Sequence, residues 1–426
     1  MLTKKIAYYD SSIEVKIPKA NLIGELVPVE MPVLDDVAGH LEYQLEHPVG
    51  TLKFSQLIMQ KEKFCIIVCD LTRPMETHKI LPVIIERIEE ICPNAQITML
   101  VALGTHRPLS ESEIDIVCGR GVRGKYPVIN HDYKNKDVLV NVGSEENPIY
   151  VHRLLRESDF VIGIGAVKPH PIFGWSGGAK LIIPGVAGAK EIGESHWMSC
   201  PYKGVEIEGK VENPIRRHYE KIVKDNKLLD FIVNAVLTEE SRISDLRCGD
   251  VIKAHRECVN IAKKYYTIDV SEPADAVVVG VGKWGPDLWV GSNAVYQSEF
   301  YLRKGGSIVL LGCFPEGVSN THPDISKWGY KPYTEVKKMV EAGVISDIIL
   351  AAHLVHLGRV LEARDATCYL LSRGISPEET EKLGFISLST TEEIIPTLTK
   401  KYGENFRVLV IPGFNSTPII SSTPQL

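Results

Sequence analysis

Two histidines stand just past apolar, strand-like runs: ITMLVALGTHRP leads to His106, and DFVIGIGAVKPHP leads to His170. In an α/β protein, ligands bind beyond the carboxyl ends of the parallel strands, so both imidazoles are placed for chemistry. Imidazole titrates near neutral pH, which makes the pair a candidate acid and base. A lone histidine of this kind is more often a partly buried ring bonded to backbone. Two at strand ends, one followed by Arg-Pro and the other flanked by prolines, favour proton transfer.

Other residues nearby carry chemical potential. KFCIIVCDLTRP sets Asp70, Thr72 and Arg73 past a third apolar run. The planar fork of Arg73 suits a substrate carboxylate, with Asp70 orienting groups beside it; a helix N-cap and a surface ion pair form the plainer reading. GWSGGAK holds Ser176, Gly177, Gly178 and Lys180, yet it is not a P-loop, because Leu181 follows the lysine where Ser or Thr is required. Its glycines suit either the approach of backbone N–H groups to an anion or a tight turn of positive φ. His196, in GESHWMSC, has no second histidine at metal-ligand spacing, so its own surroundings favour a surface or capping role. GVGKWG, Gly280 to Gly285, matches the dinucleotide fingerprint only formally. Cys313 stands after the next strand where an acidic residue should meet the ribose, and Pro286, Asp287 and Trp289 interrupt the helix start.

These side chains need a scaffold, and 426 residues predict two domains. With 44% hydrophobic and 24% charged residues the composition is that of an ordinary globular chain. A net charge of −6 without a Lys/Arg-rich block argues against nucleic acid and for a small-molecule ligand. The polar N-terminus lacks the apolar block of a secretory signal, and no run approaches the roughly 18 to 20 apolar residues that cross a bilayer, so a cytoplasmic protein without a membrane partner is expected. Nine scattered cysteines with no Cys-x-x-Cys read as reduced thiols.

The first thirty residues alternate as edge or hairpin strands. Further strands are predicted at KFCIIVCD, AQITMLVALG, DVLVNVG, DFVIGIGAV and LDFIVNAVL, with helices at HKILPVIIERIEEICP and SESEIDIVCG. That alternation predicts an α/β fold with a largely parallel sheet flanked by helices. After the helical VIKAHRECVNIAKKYY, polar TIDVSEPAD marks a boundary. ADAVVVGVG, a helical VYQSEFYLRK and GGSIVLLG then open a second α/β unit, extended by SDIILAAHLVHLGRVLEA, TEEIIPTLTKKYG and FRVLVIPG. The expected domains are residues 1–268, catalytic and cofactor-binding, and 269–426, whose end can return to the first, with the active site in the cleft between them.

The order DLTRP, GTHRP, KPHP, GWSGGAKLIIPGVAG, ESHW and a later Tyr296-Gln297 pair resembles the nickel-dependent lactate racemase (LarA-like) family over most of the chain. The resemblance implies a racemase or epimerase acting at C2 of a 2-hydroxy acid through a nickel-pincer nucleotide, loaded by cofactor-synthesis proteins. By the same resemblance His106 and His170 are the proton-transfer groups, and Arg73, Tyr296 and Gln297 bind substrate. Lys180 holds the cofactor covalently, with Asp70, Thr72, Ser176, Gly177 and Gly178 around it. His196 completes a square-planar nickel site whose other ligands are the cofactor's two sulfurs and a ring carbon.

One departure matters. Lactate racemases carry a lysine three residues beyond the glutamine, where this chain has Phe300. An aromatic ring cannot replace an ammonium, so a longer or aryl 2-hydroxy acid is expected in place of lactate. A sugar acid is the competing choice, with Asp287, Asn293, Tyr296 and Gln297 able to serve hydroxyls. Trp175, Trp284 and Trp289 either reshape the pocket or simply pack. The rival classes are a zinc hydrolase built on His106, His170 and His196, a cofactor-storage protein, and a nicotinamide dehydrogenase resting on GVGKWG alone.

Overall fold

A computed structural model describes every residue except Pro28, Arg73, Asp269, Ser271, Trp284, 414–418 and 421–426. Residues 30–195 and 210–265 form one compact unit, and residues 1–29, 196–209 and 266–426 form the other.

The unit of residues 30–195 and 210–265 is built on a six-stranded sheet. Its order is Ile243–Gly249, Phe231–Leu237, Phe160–Ala166, Lys63–Cys69, Gln96–Ala102, Val128–Asn130. All neighbours are parallel except the first pair. Phe160–Ala166 and Phe231–Leu237 are buried throughout, as continuous apolar strands covered on both faces must be. Helix Thr77–Ile91 buries Ile80, Leu81, Ile84, Ile85 and Ile88 at helical spacing. Helix Glu111–Cys118 opens on a capping box, with Ser110 Oγ accepting from the Glu113 amide while the Glu113 carboxylate accepts from the Ser110 amide.

From Lys63–Cys69 the chain steps outward through Gln96–Ala102 to Val128–Asn130, then crosses to the other side at Phe160–Ala166. The order therefore reverses between Lys63–Cys69 and Phe160–Ala166. Such a reversal opens a crevice at the carboxyl ends of the two strands. The strand predicted at DVLVNVG is reduced to Leu139–Asn141 and pairs only with Tyr150–His152, outside the main sheet. Its first residues are instead drawn into a tight turn whose amide at Asp137 donates to the Asn135 side chain.

In the other unit, Ala274–Gly282 lies parallel to Leu302–Gly312 on one side and to Val408–Ile411 and Leu2–Tyr9 on the other. Its alternation sends Val277, Val279 and Val281 into one core and Ala276 and Val278 into the opposite one. The N-terminal hairpin, Leu2–Tyr9 against Ser11–Ile17, buries Ile6, Tyr8, Val15 and Ile17 in that second core. Helix Ile348–Arg364 contributes to the first core and helix Ile394–Tyr402 to the second. The helix predicted through VYQSEFYLRK stops at Ser298, and Leu302 already opens the next strand. Between them the amides of Phe300 and Tyr301 turn back onto the carbonyls of Gln297 and Ser298. Among the described residues no helix is long and apolar enough to cross a membrane.

Candidate active site

Asp70 leaves the strand Lys63–Cys69 at the crevice, with only 5% of its surface exposed. Its Oδ2 accepts from His106 Nδ1 at 2.5 Å, and its Oδ1 accepts from the Thr72 amide at 3.1 Å and the Thr72 hydroxyl at 2.6 Å. A carboxylate can only accept, so Nδ1 of His106 bears a proton, and in the neutral ring Nε2 carries the lone pair. Asp70 does not cap the next helix, which begins at Thr77 after Glu76. Arg73 lies outside the described residues.

A charge-assisted bond of this kind contributes about 1.5–3 kcal/mol. If all of it orients the ring, Asp70→Asn is expected to lower turnover by about 10- to 100-fold with the fold retained. Steady-state rates beside a thermal melt check this; an unchanged rate would remove Asp70 from the account.

His106 sits in a loop whose Gly104 amide donates to the Gly185 carbonyl at 2.9 Å, while the Gly185 amide donates to the Lys180 carbonyl at 3.2 Å. The backbone thus ties the His106 loop to the segment that follows Lys180.

His170 follows strand Phe160–Ala166 and is 8% exposed. Its Nδ1 accepts from the backbone amides of Ile172 and Phe173, each at 3.2 Å. Nδ1 is therefore bare, and the neutral ring carries its proton on Nε2. The two histidines are held in opposite tautomers: His106 offers a basic Nε2, His170 an Nε2–H.

Lys180 lies in the tight turn Gly178–Leu181, its Nζ 5.9 Å from the centre of the Phe173 ring. That ring is also 5.9 Å from the ring of His170. Phe173 thus stands beside both candidate side chains.

The glycines before Lys180 serve the turn. Gly177 has φ +78° and Gly178 φ +60°. A Cβ on Gly177 would come 2.8 Å from Asn234 Oδ1, and one on Gly178 would come 3.1 Å from the His255 ring. The Gly178 amide already donates to Asn234 Oδ1 at 3.0 Å. Ser176 likewise has partners in the protein: its hydroxyl donates to the Ala166 carbonyl at 2.7 Å and accepts from the Lys168 amide at 2.9 Å. It ties the loop to the end of its strand.

The remaining predicted residues belong to the other unit. His196 is in the last turn of helix Ala189–Trp197. Its ring lies 6.3 Å from that of His356, which is itself 6.3 Å from the Tyr296 ring. His356 Nε2 is 2.7 Å from Ser199 Oγ, and burial holds its pKa well below the ordinary value. His353, one turn earlier, stacks on Trp289 with ring centres 3.8 Å apart, and burial pushes it down to about 3. Trp289 is also stacked on His322. His353 and His356 escaped the sequence reading, although LAAHLVHL places two histidines three apart in an otherwise apolar helix.

Gln297 is buried, and its Nε2 donates to Glu208. Burial, reinforced by Glu299, pushes Glu208 up to about 8, so it is protonated at neutral pH. Phe300 is 6% exposed within an apolar core of this unit, while Trp175, in the unit of residues 30–195 and 210–265, is fully buried. Trp284 is outside the described residues. After GVGKWG, Asp287 caps a helix of only four residues, Leu288–Gly291, whereas a dinucleotide loop feeds a long helix.

Among the described residues no three His, Cys, Asp or Glu side chains gather as a metal site. A protein-only zinc centre needs such a group. An imidazole such as that of His196 can ligate a metal, and a lysine amine such as that of Lys180, in a turn beside Phe173, can form a covalent link, each within its own unit.

Residues 8–208 match the lactate racemase N-terminal domain. The chain is 25% identical over 325 residues to the lactate racemase of Lactiplantibacillus plantarum, covering 74% of this chain and 76% of that one. It is 27% identical over 281 residues to the lactate racemase of Thermoanaerobacterium thermosaccharolyticum, covering 64% and 65%. In structure it matches the lactate racemase apoprotein from Thermoanaerobacterium thermosaccharolyticum with a TM-score of 0.87 and 21% identity, covering 99% of this chain and 100% of that one. A protein from Thermotoga maritima matches with a TM-score of 0.70 and 21% identity, covering 86% and 96%. These two likenesses are of fold.

Proposed function

We propose that the chain is an isomerase of the LarA-like lactate racemase family and inverts C2 of a 2-hydroxy acid with a nickel-pincer nucleotide. The observation that carries this reading is the pair of opposite tautomers, His106 held by Asp70 and His170 held by two backbone amides. Both rings follow strands that end at one edge of the sheet.

In this reading Arg73 binds the substrate carboxylate through its planar fork. His106 Nε2 takes the proton of the C2 hydroxyl, and the Nε2–H of His170 gives a proton back to that oxygen when the opposite configuration forms. Each such turnover moves one proton from His170 to His106, so the pair is reset by exchange with water or by the reverse reaction. A bound nickel-pincer nucleotide would supply the hydride chemistry at C2. Lys180 would hold that cofactor, His196 would ligate its nickel, and cofactor-synthesis proteins would load it. The protein contributes orientation and proton transfer, and the histidines act from separate loops.

The substrate is where this chain parts from lactate. At position 300 the ammonium is lost, and the replacing ring packs in a core. An apolar distal end then costs less to bind than a charged one. At about 0.8 kcal/mol per buried methylene, two added carbons favour a longer or aryl 2-hydroxy acid by roughly tenfold over lactate. A panel of single-enantiomer lactate, longer alkyl, aryl and sugar 2-hydroxy acids, followed by chiral chromatography with the reconstituted enzyme, tests this. Lactate as the best substrate overturns the argument from Phe300, and reaction of sugar acids alone overturns the apolar end. No inversion of any of them, with cofactor and nickel loaded, overturns the function.

A further inference from the structure

Behind the loop that carries His170 and Lys180 lies a buried arginine with no part in the chemistry above. Arg216, on helix Pro214–Asp225, is 1% exposed. Its Nε donates to the Phe173 carbonyl at 2.9 Å, and its Nη2 donates to the Trp175 carbonyl. His255, on helix Lys253–Tyr266 and fully buried, donates from Nε2 to the Ser176 carbonyl at 2.8 Å. Three carbonyls of one short loop are thus gripped by two side chains from two helices.

The grip is itself braced. Glu220 accepts from Arg216 Nη1 at 3.2 Å and from both terminal nitrogens of Arg256 at 2.7 Å. Arg256 Nη1 also donates to His255 Nδ1 at 3.2 Å, so Arg216, Glu220, Arg256 and His255 form one chain with both ends on the loop. The loop is pressed onto the segment that leads into helix Pro214–Asp225: a Cβ on Gly174, whose φ is +74°, would meet the Lys210 carbonyl oxygen at 2.0 Å. Taking an arginine out of water is costly, and an apolar side chain of similar volume often stabilises as well or better. What the arginine adds is direction, because its fork sets where two carbonyls point.

We propose that Arg216, braced by His255, is a positioning residue that holds Phe173 so that the Phe173 amide stays on Nδ1 of His170 and the proton stays on Nε2. Phe173 is the link, with its carbonyl on Arg216, its amide on His170, and its ring beside Lys180. The inference rests on the reading of His170 as a proton donor, but the tautomer it assigns exists without any substrate or cofactor.

The test uses full-length protein labelled with ¹⁵N-histidine, with His170 assigned by comparison with His170→Gln. Wild type is expected to show a protonated Nε2 and a bare Nδ1. In Arg216→Gln, Glu220 keeps its two bonds from Arg256, so the fold is expected to persist. The His170 signals should move towards tautomer averaging while those of His106 stay in place. In loaded enzyme the same variant should lose about tenfold in kcat with KM changed less than about twofold, and Arg216→Lys should recover part of the loss. Should Arg216→Gln fail to fold, Arg216→Lys carries the test through a smaller shift in the same direction. Unmoved His170 signals in a folded variant, or the opposite tautomer in wild type, overturn the proposal. A wild type that shows the assigned tautomer but inverts no 2-hydroxy acid overturns the function and leaves Arg216 as the holder of His170.

Discussion

His106→Ala and His170→Ala are each expected to cut turnover by about 10²-fold or more while cofactor loading persists, the usual effect of removing a positioned acid or base. The reason lies in the bonds each ring makes. His106 is presented by Asp70 with its lone pair on Nε2, and His170 is presented by the amides of Ile172 and Phe173 with its proton there. Neither ring can substitute for the other, because each is held in one tautomer by groups that cannot reverse roles: a carboxylate does not donate and an amide N–H does not accept. Both single variants should therefore be impaired in both directions of the reaction. Rates from each pure enantiomer, measured beside the intact mass of the loaded protein, check this, and near-normal inversion by either variant would contradict the two-histidine scheme.

Lys180→Ala is expected to abolish both the covalent mass adduct and activity. The amine stands in a turn whose shape is set by Gly177 and Gly178 and by the bond from the Gly178 amide to Asn234. Alanine keeps that turn and removes the nucleophile, so the variant should stay folded, which a thermal melt checks. Lys180→Arg should fail as well, since a guanidinium stays protonated and does not form the linkage. The measurement is intact mass and nickel content after co-production with the cofactor-synthesis proteins. An adduct of unchanged mass in Lys180→Ala would place the tether elsewhere.

Much of this arrangement was legible because parallel strands covered on both faces are continuous apolar runs. KFCIIVC, QITMLVA and FVIGIGA announce their own ends, and Asp70, His106 and His170 follow those ends. What the pattern does not carry is partnership. Asp70 and His106 are 36 residues apart, and their bond depends on Lys63–Cys69 and Gln96–Ala102 being neighbours in the sheet. The tautomer of His170 depends on two backbone amides, which have no side-chain signature.

The hairpin of the first residues shows the same limit. Alternation in LTKKIAYY gives a strand with one buried face, but a period of two says nothing of which sheet receives it, and Leu2–Tyr9 joins Ala274–Gly282 far along the chain. Arg216 and His255 were hidden for a related reason. In PIRRHYEKIVKD and KAHRECVNIAKKYY, charged and aromatic residues alternate as they do on a solvated helix face, and only the packed loop reveals that one arginine points inward.

The most direct test of the account follows the C2 hydrogen. A single-enantiomer 2-hydroxy acid is incubated with the loaded enzyme in D2O, and the inverted product is examined by NMR and mass spectrometry. Inversion by hydride transfer, with the histidines handling only the hydroxyl proton, predicts product that keeps protium at C2. Deuterium at C2 in the inverted product would mean that His106 and His170 work on the carbon itself, and would contradict the account.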